Sequence, residues 1–311
     1  NVRGAPLIGC TGAFGVFLAC KSSIETDYIE VCCNNLISSR PTAVNLEWAV
    51  KRVKDRVLLS KKKDRINTAL HEATLIAEED IKNCKSIGRY GLEIIKNISQ
   101  KSNDTVNILT HCNAGWLATV DWGTATAPIY LSFKSGLDIH VWVDETRPRL
   151  QGAFLTSFEL NHESIPNTVI SDNTGGFLMY KRRVDLCITG ADRILSNGDV
   201  INKIGTYEKA IAARENNIPF YIAAPVSTID FNHINSSDIT IEERSDDEMR
   251  KITGKVNDRS FEVDIYPEQS NSLNVAFDIT PSKFISGIIC EHGIFEASEE
   301  GIRKIFTKLS K

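Results

Sequence analysis

From Val106 onward the chain repeats one rhythm that leaves few architectures open. Short runs rich in β-branched residues are "VNILTH" (106–111), "DIHVWVDE" (138–145), "TVISD" (168–172), "VDLCITGAD" (184–192), "PFYIAAP" (219–225) and "NVAFDIT" (274–280). Segments of helical character, such as 151–161, 203–216 and 281–290, separate them. The runs show little polar alternation, which is the pattern of strands buried on both faces. Strands alternating with helices in this way predict a right-handed parallel sheet covered by helices on both sides.

Upstream the rhythm is different. "PTAVNLEWAVKRVKDRVL" (41–58) places Val44, Trp48 and Val53 near one helix face, and Pro41 and Thr42 suit that helix's start. Residues 61–99 continue as long amphipathic helices, with Gly88 and Gly91 expected to mark an interruption. Lys61, Lys62 and Lys63 read as a solvated helix face. The polar stretch "QKSNDT" (100–105) reads as a linker. A chain of 311 residues divides naturally in two, here a mostly helical domain 1–102 and an α/β parallel-sheet domain 103–311. Residues 254–273 are polar and irregular and read as an extended surface loop.

Composition narrows the function classes. A formal net charge of −4 argues against nucleic acid as the main partner. The eight cysteines form no C-x-x-C pair and no zinc spacing, which fits free thiols in a reducing cytosol. "LIGCTGAFGVFLAC" (7–20) is broken by glycines and short for a membrane span, so it reads as a buried helix whose glycines permit close packing. No G-x-G-x-x-G follows a strand, so no dinucleotide cofactor is expected. The missing initiator Met leads us to expect further sequence before residue 1.

Ligands of open parallel sheets bind beyond the carboxyl ends of the strands. At those ends stand His111-Cys112-Asn113, Asp144-Glu145-Thr146-Arg147, Ser171-Asp172-Asn173, Gly190-Ala191-Asp192-Arg193, and Asp278 with Thr280. Cys112 is read at the start of a small-residue helix, where a helix N-terminus favours the thiolate. The alternative for it is a small buried hydrophobe. Asp192 ends an apolar run, where desolvation would raise its pKa and make it a proton donor, the alternatives being a salt bridge to Arg193 or a helix cap. Asn202 and Lys203 suit a hydroxyl and a phosphate, with Lys203 on a helix surface as the plainer alternative. In "RGAP" (3–6), Pro6 suits a first helical turn, leaving the N–H groups of Gly4 and Ala5 and the Arg3 guanidinium for an anion. Arg40, Arg147, Arg149 and Gln151 add donors, some of them structural. The set suits proton transfer on a small phosphorylated molecule, with no metal or cofactor required.

The motifs "RGAPLIG", "RPTAVNLEWA", "THCNAGWLATVDWGTA", "VWVDETRPRLQGAFLTSFEL", "DNTGGFLM", "ITGADRILSNGDVINKIGTY" and "FDITPSKFISGII" follow one another in this order from Arg3 to Ile289. Together they resemble the methylthioribose-1-phosphate isomerase family. The resemblance implies a helical N-terminal domain, a Rossmann-like C-terminal domain without a dinucleotide, and a cytoplasmic homodimer. It also implies conversion of the aldose 5-methylthioribose 1-phosphate to the ketose 5-methylthioribulose 1-phosphate in methionine salvage. By motif, the catalytic cysteine falls on Cys112 and the catalytic aspartate on Asp192. Substrate binding falls on Arg3, Gly4, Ala5, Arg40, Gln151, Asn202 and Lys203. Asp192 would open the ring, and Cys112 would act either as a thiolate base at C2/C1 or beside a direct hydride shift. Trp116, "DWGTATAPI" and "DNTGG" depart from the commoner family form and match a bacterial subgroup whose relatives also include 5-deoxyribose 1-phosphate as a substrate. Two rival readings are a ribose 1,5-bisphosphate isomerase, which needs further cations, and the regulatory subunits of the translation-initiation exchange factor, which lack the Cys and the Asp.

Overall fold

The computed structural model describes residues 2–40, 44–102 and 104–309; Pro41 and Thr42, read as a helix start, lie outside them. Four helices come first: α1 (Ala5–Ser22), α2 (Thr26–Ser38), α3 (Val44–Leu59) and α4 (Arg65–Ser102). They enclose a core of Ile8, Ala13, Val16, Cys20, Leu46, Val50, Val53, Ala69, Ala73 and Ile76. The glycines of α1 act as expected, since a Cβ on Gly9 would stand 2.8 Å from the Asn45 carbonyl oxygen. α1 is the one described helix long and apolar enough to cross a membrane, and half of it is buried within the fold. The predicted face of α3 is rotated. Leu46, Ala49, Val50, Val53 and Val57 point inward, while Trp48 is exposed and lies under the Arg52 guanidinium. Lys61, Lys62 and Lys63 are exposed around a 3₁₀ turn, and Lys62 pairs with Glu25.

Gly88 and Gly91 do not interrupt α4, which runs unbroken for 38 residues. Their missing side chains let α5 (Thr126–Lys134) approach through Ala127, Pro128 and Leu131. Packing has overridden a weak propensity signal. Ile87 and Ile95 of α4 enter the core beneath the sheet, so one helix serves both cores.

The remaining elements follow in chain order around α5. β1 (Val106–Thr110), β2 (Ile139–Asp144), α6 (Ser157–His162), β3 (Asn167–Ile170), α7 (Thr174–Tyr180), β4 (Leu186–Thr189), β5 (Arg193–Leu195) and β6 (Val200–Lys203) come first. Then come α8 (Thr206–Glu215), β7 (Phe220–Ala223), β8 (Ile229–Asp230), α9 (Asp247–Arg250), β9 (Lys251–Val256), β10 (Arg259–Asp264), β11 (Phe277–Thr280), β12 (Gly287–Cys290), β13 (Gly293–Phe295) and α10 (Glu299–Leu309). The main sheet has the order β13-β12-β7-β4-β1-β2-β3 and is parallel except for β13. Its six parallel strands, counted along the chain, lie 3-2-1-4-5-6, the doubly wound Rossmann order. The expected fold class, α/β with a helical N-terminal part and a Rossmann-like sheet, is the one observed.

Three readings are corrected. The run "NVAFDIT" leaves the parallel sheet: its β11 pairs antiparallel with β6 in a second sheet, β11-β6-β5-β8. Residues 281–290 hold only a 3₁₀ turn and then β12, because Ile288, Ile289 and Cys290 are buried and the strand pairs with β7 through Gly287, Ile288 and Ile289 and with β13 through Ile288, Ile289 and Cys290. Residues 254–273 contain much of the β9–β10 hairpin, with Asn257 and Asp258 at positive φ in its two-residue turn. The hairpin is exposed throughout most of its length, so no alternation of apolar residues announced it.

Candidate active site

Strand order in the main sheet reverses between β1 and β4, and such a switch point opens a crevice beyond the strand ends. The residue pairs following these two strands are His111-Cys112 and Gly190-Ala191, with Asp192 next. A cleft of about 810 Å³, open at its mouth, lies there. All nine residues expected in a site line it: Arg3, Gly4, Ala5, Arg40, Cys112, Gln151, Asp192, Asn202 and Lys203. His111, Leu117, Ala118, Leu155, Arg244 and Phe277 line it too.

Cys112 does not stand at a helix start. A 3₁₀ turn at Trp116–Ala118 follows it, and α5 begins only at Thr126. "NAGWLATVDWGTA" has the small residues of a helix, but here its backbone groups are claimed elsewhere. Cys112 adopts φ +66°, uncommon for a residue with a Cβ. Two threonines hold it in that state: its N–H donates to Thr146 Oγ1 at 2.8 Å, and its carbonyl accepts from Thr156 Oγ1 at 2.7 Å. Without a helix dipole the thiolate loses its expected support. Burial pushes the thiol up to about 11, with Lys203 opposing and Asp192 adding to the rise.

The loop after Cys112 is folded around one carboxylate that sequence reasoning missed. Glu159 on α6 is fully buried and accepts from the N–H groups of Trp116 (3.1 Å) and Leu117 (2.9 Å), from Asn113 Nδ2 (3.0 Å) and from the Tyr130 hydroxyl (2.7 Å). Burial raises its pKa, and these four donors pull it back. Gly115 is required beside it, since a Cβ there would overlap the carboxylate. The available signal was an acid between Phe158 and Leu160 in an apolar helical stretch.

Asp192 faces Cys112's side of the cleft from the end of β4. Its backbone N–H donates to the Ile201 carbonyl, and burial raises its pKa against the pull of Lys203, Arg40 and Arg244. The alternative reading of Asp192, a salt bridge to Arg193, is not the pairing seen: that guanidinium meets Asp230 of β8 at 2.9 Å. Lys203 lies on β6 rather than on a helix surface and is 4 % exposed. Its ammonium donates to the Ala276 carbonyl at 2.8 Å and sits over the Phe277 ring; burial lowers its pKa. Asn202 is braced by Thr206, to which its Nδ2 donates at 2.9 Å.

"RGAP" opens α1 at one wall of the cleft, as its Pro6 led us to expect. Gly4 caps α1 at φ +88°, a value suited to glycine, and a Cβ there would overlap Ala118. Arg3's pKa is lowered by burial and by its neighbours Arg149, Arg40 and Arg244. Arg40 Nε and Gln151 Oε1 are buried without hydrogen-bond partners among the described residues. Such groups are costly unless something polar arrives to meet them. Arg244, missed from the sequence, comes from the segment between β8 and β11. Glu242 holds it at 2.8 Å, and its guanidinium lies over Phe277.

Other strand-end groups are braces. The Asp172 carboxylate accepts from the N–H groups of Thr146 and Arg147, both at 2.7 Å. Arg147 and Arg149 are structural, donating to the Met249 carbonyl and to Glu248. Asp278 accepts from the N–H groups of Gly205 and Tyr207 at the start of α8, and burial raises its pKa to about 6. His111, Asp144 and Asp172 bring ligand atoms within 4.8 Å of one another. The Lys209 ammonium already stands 3.3 Å from Asp144, however, and Asp172 is engaged by backbone, so the group reads as a hydrogen-bonded cluster.

The model of the Initiation factor 2 subunit family matches residues 1–297. A methylthioribose-1-phosphate isomerase of Desulfatibacillum aliphaticivorans is 52 % identical over 98 % of this chain and 85 % of its own. The crystal structure of 5-methylthioribose 1-phosphate isomerase from Pyrococcus horikoshii superposes with a TM-score of 0.83 at 39 % identity, covering 98 % of this chain and 84 % of that one. A structure described as translation initiation factor eIF-2B, subunit delta, from A. fulgidus gives 0.79 at 36 %, covering 98 % and 87 %.

Glu159→Gln puts an amide NH₂ among donors. It is expected to lower stability by about 1–3 kcal/mol, the cost of one unsatisfied buried group. A denaturant midpoint equal to that of the unaltered protein would show that this carboxylate does not hold the loop.

Proposed function

The chain belongs to the Initiation factor 2 subunit family, and we propose that within it this protein is an aldose–ketose isomerase. It converts 5-methylthioribose 1-phosphate to 5-methylthioribulose 1-phosphate. The observation that carries the reading is that a thiol and a carboxyl share one cleft with the start of α1 and with Arg40 Nε and Gln151 Oε1, which are buried without hydrogen-bond partners among the described residues. A non-catalytic regulatory role leaves this pairing of Cys112 and Asp192 without purpose.

In the substrate the phosphate blocks O1, so the ring opens only with help from an acid. The phosphate dianion binds at the N–H groups of Gly4 and Ala5, with Arg3, Arg40 and Arg244 around it. Asp192, its pKa raised by burial, protonates the ring oxygen as the C1–O4 bond breaks. C1 becomes an oxocarbenium conjugated to the phosphate-bearing oxygen. Hydrogen then passes from C2 to C1 with its electron pair, O2–H releases its proton to the Asp192 carboxylate, and C2 becomes the ketone. Asn202 and Lys203 hold the hydroxyls. Of the two hydrogen-transfer routes, burial of the thiol favours this direct shift, because a neutral Cys112 is a poor base and a bound dianion pushes its pKa further up. Cys112 then packs against C1 and C2 and keeps water from the oxocarbenium.

Asp192→Asn is expected to lower kcat by about 10²–10⁴, the loss of a general acid, and Cys112→Ser to lower it by less, since the hydroxyl keeps the shape but brings a more hydrated group to C1 and C2. The raised carboxyl must be protonated to act, so kcat falls as pH rises through its folded-state pKa. In D₂O the direct shift leaves C1 of the product free of solvent deuterium. Deuterium at C1 would restore the thiolate-base route, and unchanged turnover in both variants would remove the isomerase reading.

Leu117 and Leu155 give the cleft apolar surface suited to the methylthio end. The methylthio sugar is accordingly preferred to 5-deoxyribose 1-phosphate by about 10–200-fold in kcat/KM, the discrimination that a small apolar contact supplies. Equal values for the two sugars would assign the deoxy sugar equally.

The protein acts as a cytoplasmic homodimer in this reading. Support comes from the free cysteines, from the open edge of β3 and from exposed apolar residues on it and on the helices before and after it, Val169, Phe158 on α6, and Phe177 and Tyr180 on α7. Light scattering is expected to give twice the chain mass, and the mass of one chain would overturn the dimer.

A further inference from the structure

One buried ionisable cluster that the isomerisation does not use spans two sides of the cleft. His111 follows β1 and is 1 % exposed. Its Nδ1 lies 2.8 Å from Asp144 Oδ2 at the end of β2, and its Nε2 lies 2.8 Å from the Ile204 carbonyl oxygen just after β6. The Ile204 carbonyl can only accept, and with the Lys209 ammonium beside it the Asp144 oxygen accepts as well, so meeting both contacts takes an N–H on each ring nitrogen. Lys209 on α8 stands 3.3 Å from the same Asp144 oxygen and 2.8 Å from Glu208 Oε1. The ring is enclosed as well as bonded. A Cβ on Gly205, at φ +102°, would stand 3.0 Å from the imidazole, so glycine there lets the start of α8 close onto it.

The chain neighbours of these contacts give them meaning. His111 immediately precedes Cys112, and Ile204 immediately follows Lys203. β1 and β6 belong to different sheets, and no ladder among the described strands pairs one with the other. Backbone joins them only by way of β4 and the Asp192–Ile201 hydrogen bond, so the His111 contacts are the direct side-chain tie between the strand end carrying the thiol and the turn after Lys203. Both ring nitrogens are engaged within the protein, which leaves neither to donate to a ligand even though the ring borders the cleft.

We propose that His111 is a positioning residue, an imidazole with two N–H donors that clamps the strand end carrying Cys112 to the turn carrying Lys203, with Asp144 and Lys209 fixing the ring. The kinetic test rests on the isomerase reading; the geometry of the clamp does not.

His111→Gln keeps a donor at the Nε2 position, His111→Asn keeps one at the Nδ1 position, and His111→Ala keeps neither. With 5-methylthioribose 1-phosphate, Ala and Asn are expected to lower kcat by about 10²-fold, the scale of an ångström of misplacement, with KM within about threefold because the anion groups sit on other elements. Gln is expected to recover most of kcat through the Ile204 contact. An Asn variant as active as Gln, an unchanged Ala variant, or an equal loss in kcat and KM in all three would overturn the clamp. Long-range ¹H–¹⁵N spectra of the unaltered protein decide the matter even where a variant does not fold. Hydrogen on both His111 ring nitrogens is expected, and one bare nitrogen would refute the proposal. If the unaltered protein does not turn over the sugar phosphate, the isomerase reading fails, while the spectrum still judges the clamp.

Discussion

A buried carboxylate sets the shape of this site. Glu159 gathers four donors from Asn113, Trp116, Leu117 and Tyr130, and so decides that the chain after Cys112 is a folded loop rather than a helix. An unpaired acid at that depth would be strongly destabilising, and four unpaired donors would cost as much again. Each side needs the other. Everything nearby follows from that exchange: Gly115 has no room for a Cβ, Cys112 takes a left-handed backbone, and the threonines at 146 and 156 hold it there.

The consequence is chemical. A thiol at a helix start would be drawn toward thiolate at neutral pH; the same thiol in a buried loop is held as S–H. Asp192 is moved in the same physical direction, toward its neutral form, because both groups leave water for the crevice between β1 and β4. Two groups that favour their protonated states suit acid-assisted ring opening followed by hydrogen transfer that requires no strong base. Arg3, Arg40 and Arg244 crowd one another at the start of α1, and an anion bound among them would relieve that repulsion.

Much of the architecture was legible because parallel strands buried on both faces leave an unmistakable run of β-branched residues. The helical character of residues 1–102, the strands β1, β2, β4 and β7 and the choice of nine cleft residues follow from such runs and from motifs. The failures have a common cause. The 281–290 segment, the β9–β10 hairpin and the unbroken α4 were each decided by what packs against them, which local composition does not encode. Arg244 was invisible for the same reason: an arginine in a polar stretch looks solvated until the fold returns it to the cleft.

The sequence by itself singled out Cys112, Asp192 and the start of α1, which share one cleft, because side-chain type and motif order are written in it directly. It also determined the doubly wound sheet, since hydrophobic period limits the layers a chain can form. Only the tertiary structure decided how those groups behave. The pKa of Cys112 depends on burial and on a loop braced from Glu159, 47 positions further along the chain; Lys203's role depends on lying in a strand beneath Phe277. Desolvation and electrostatic neighbours are properties of distance in space, and no reading along the chain supplies that distance.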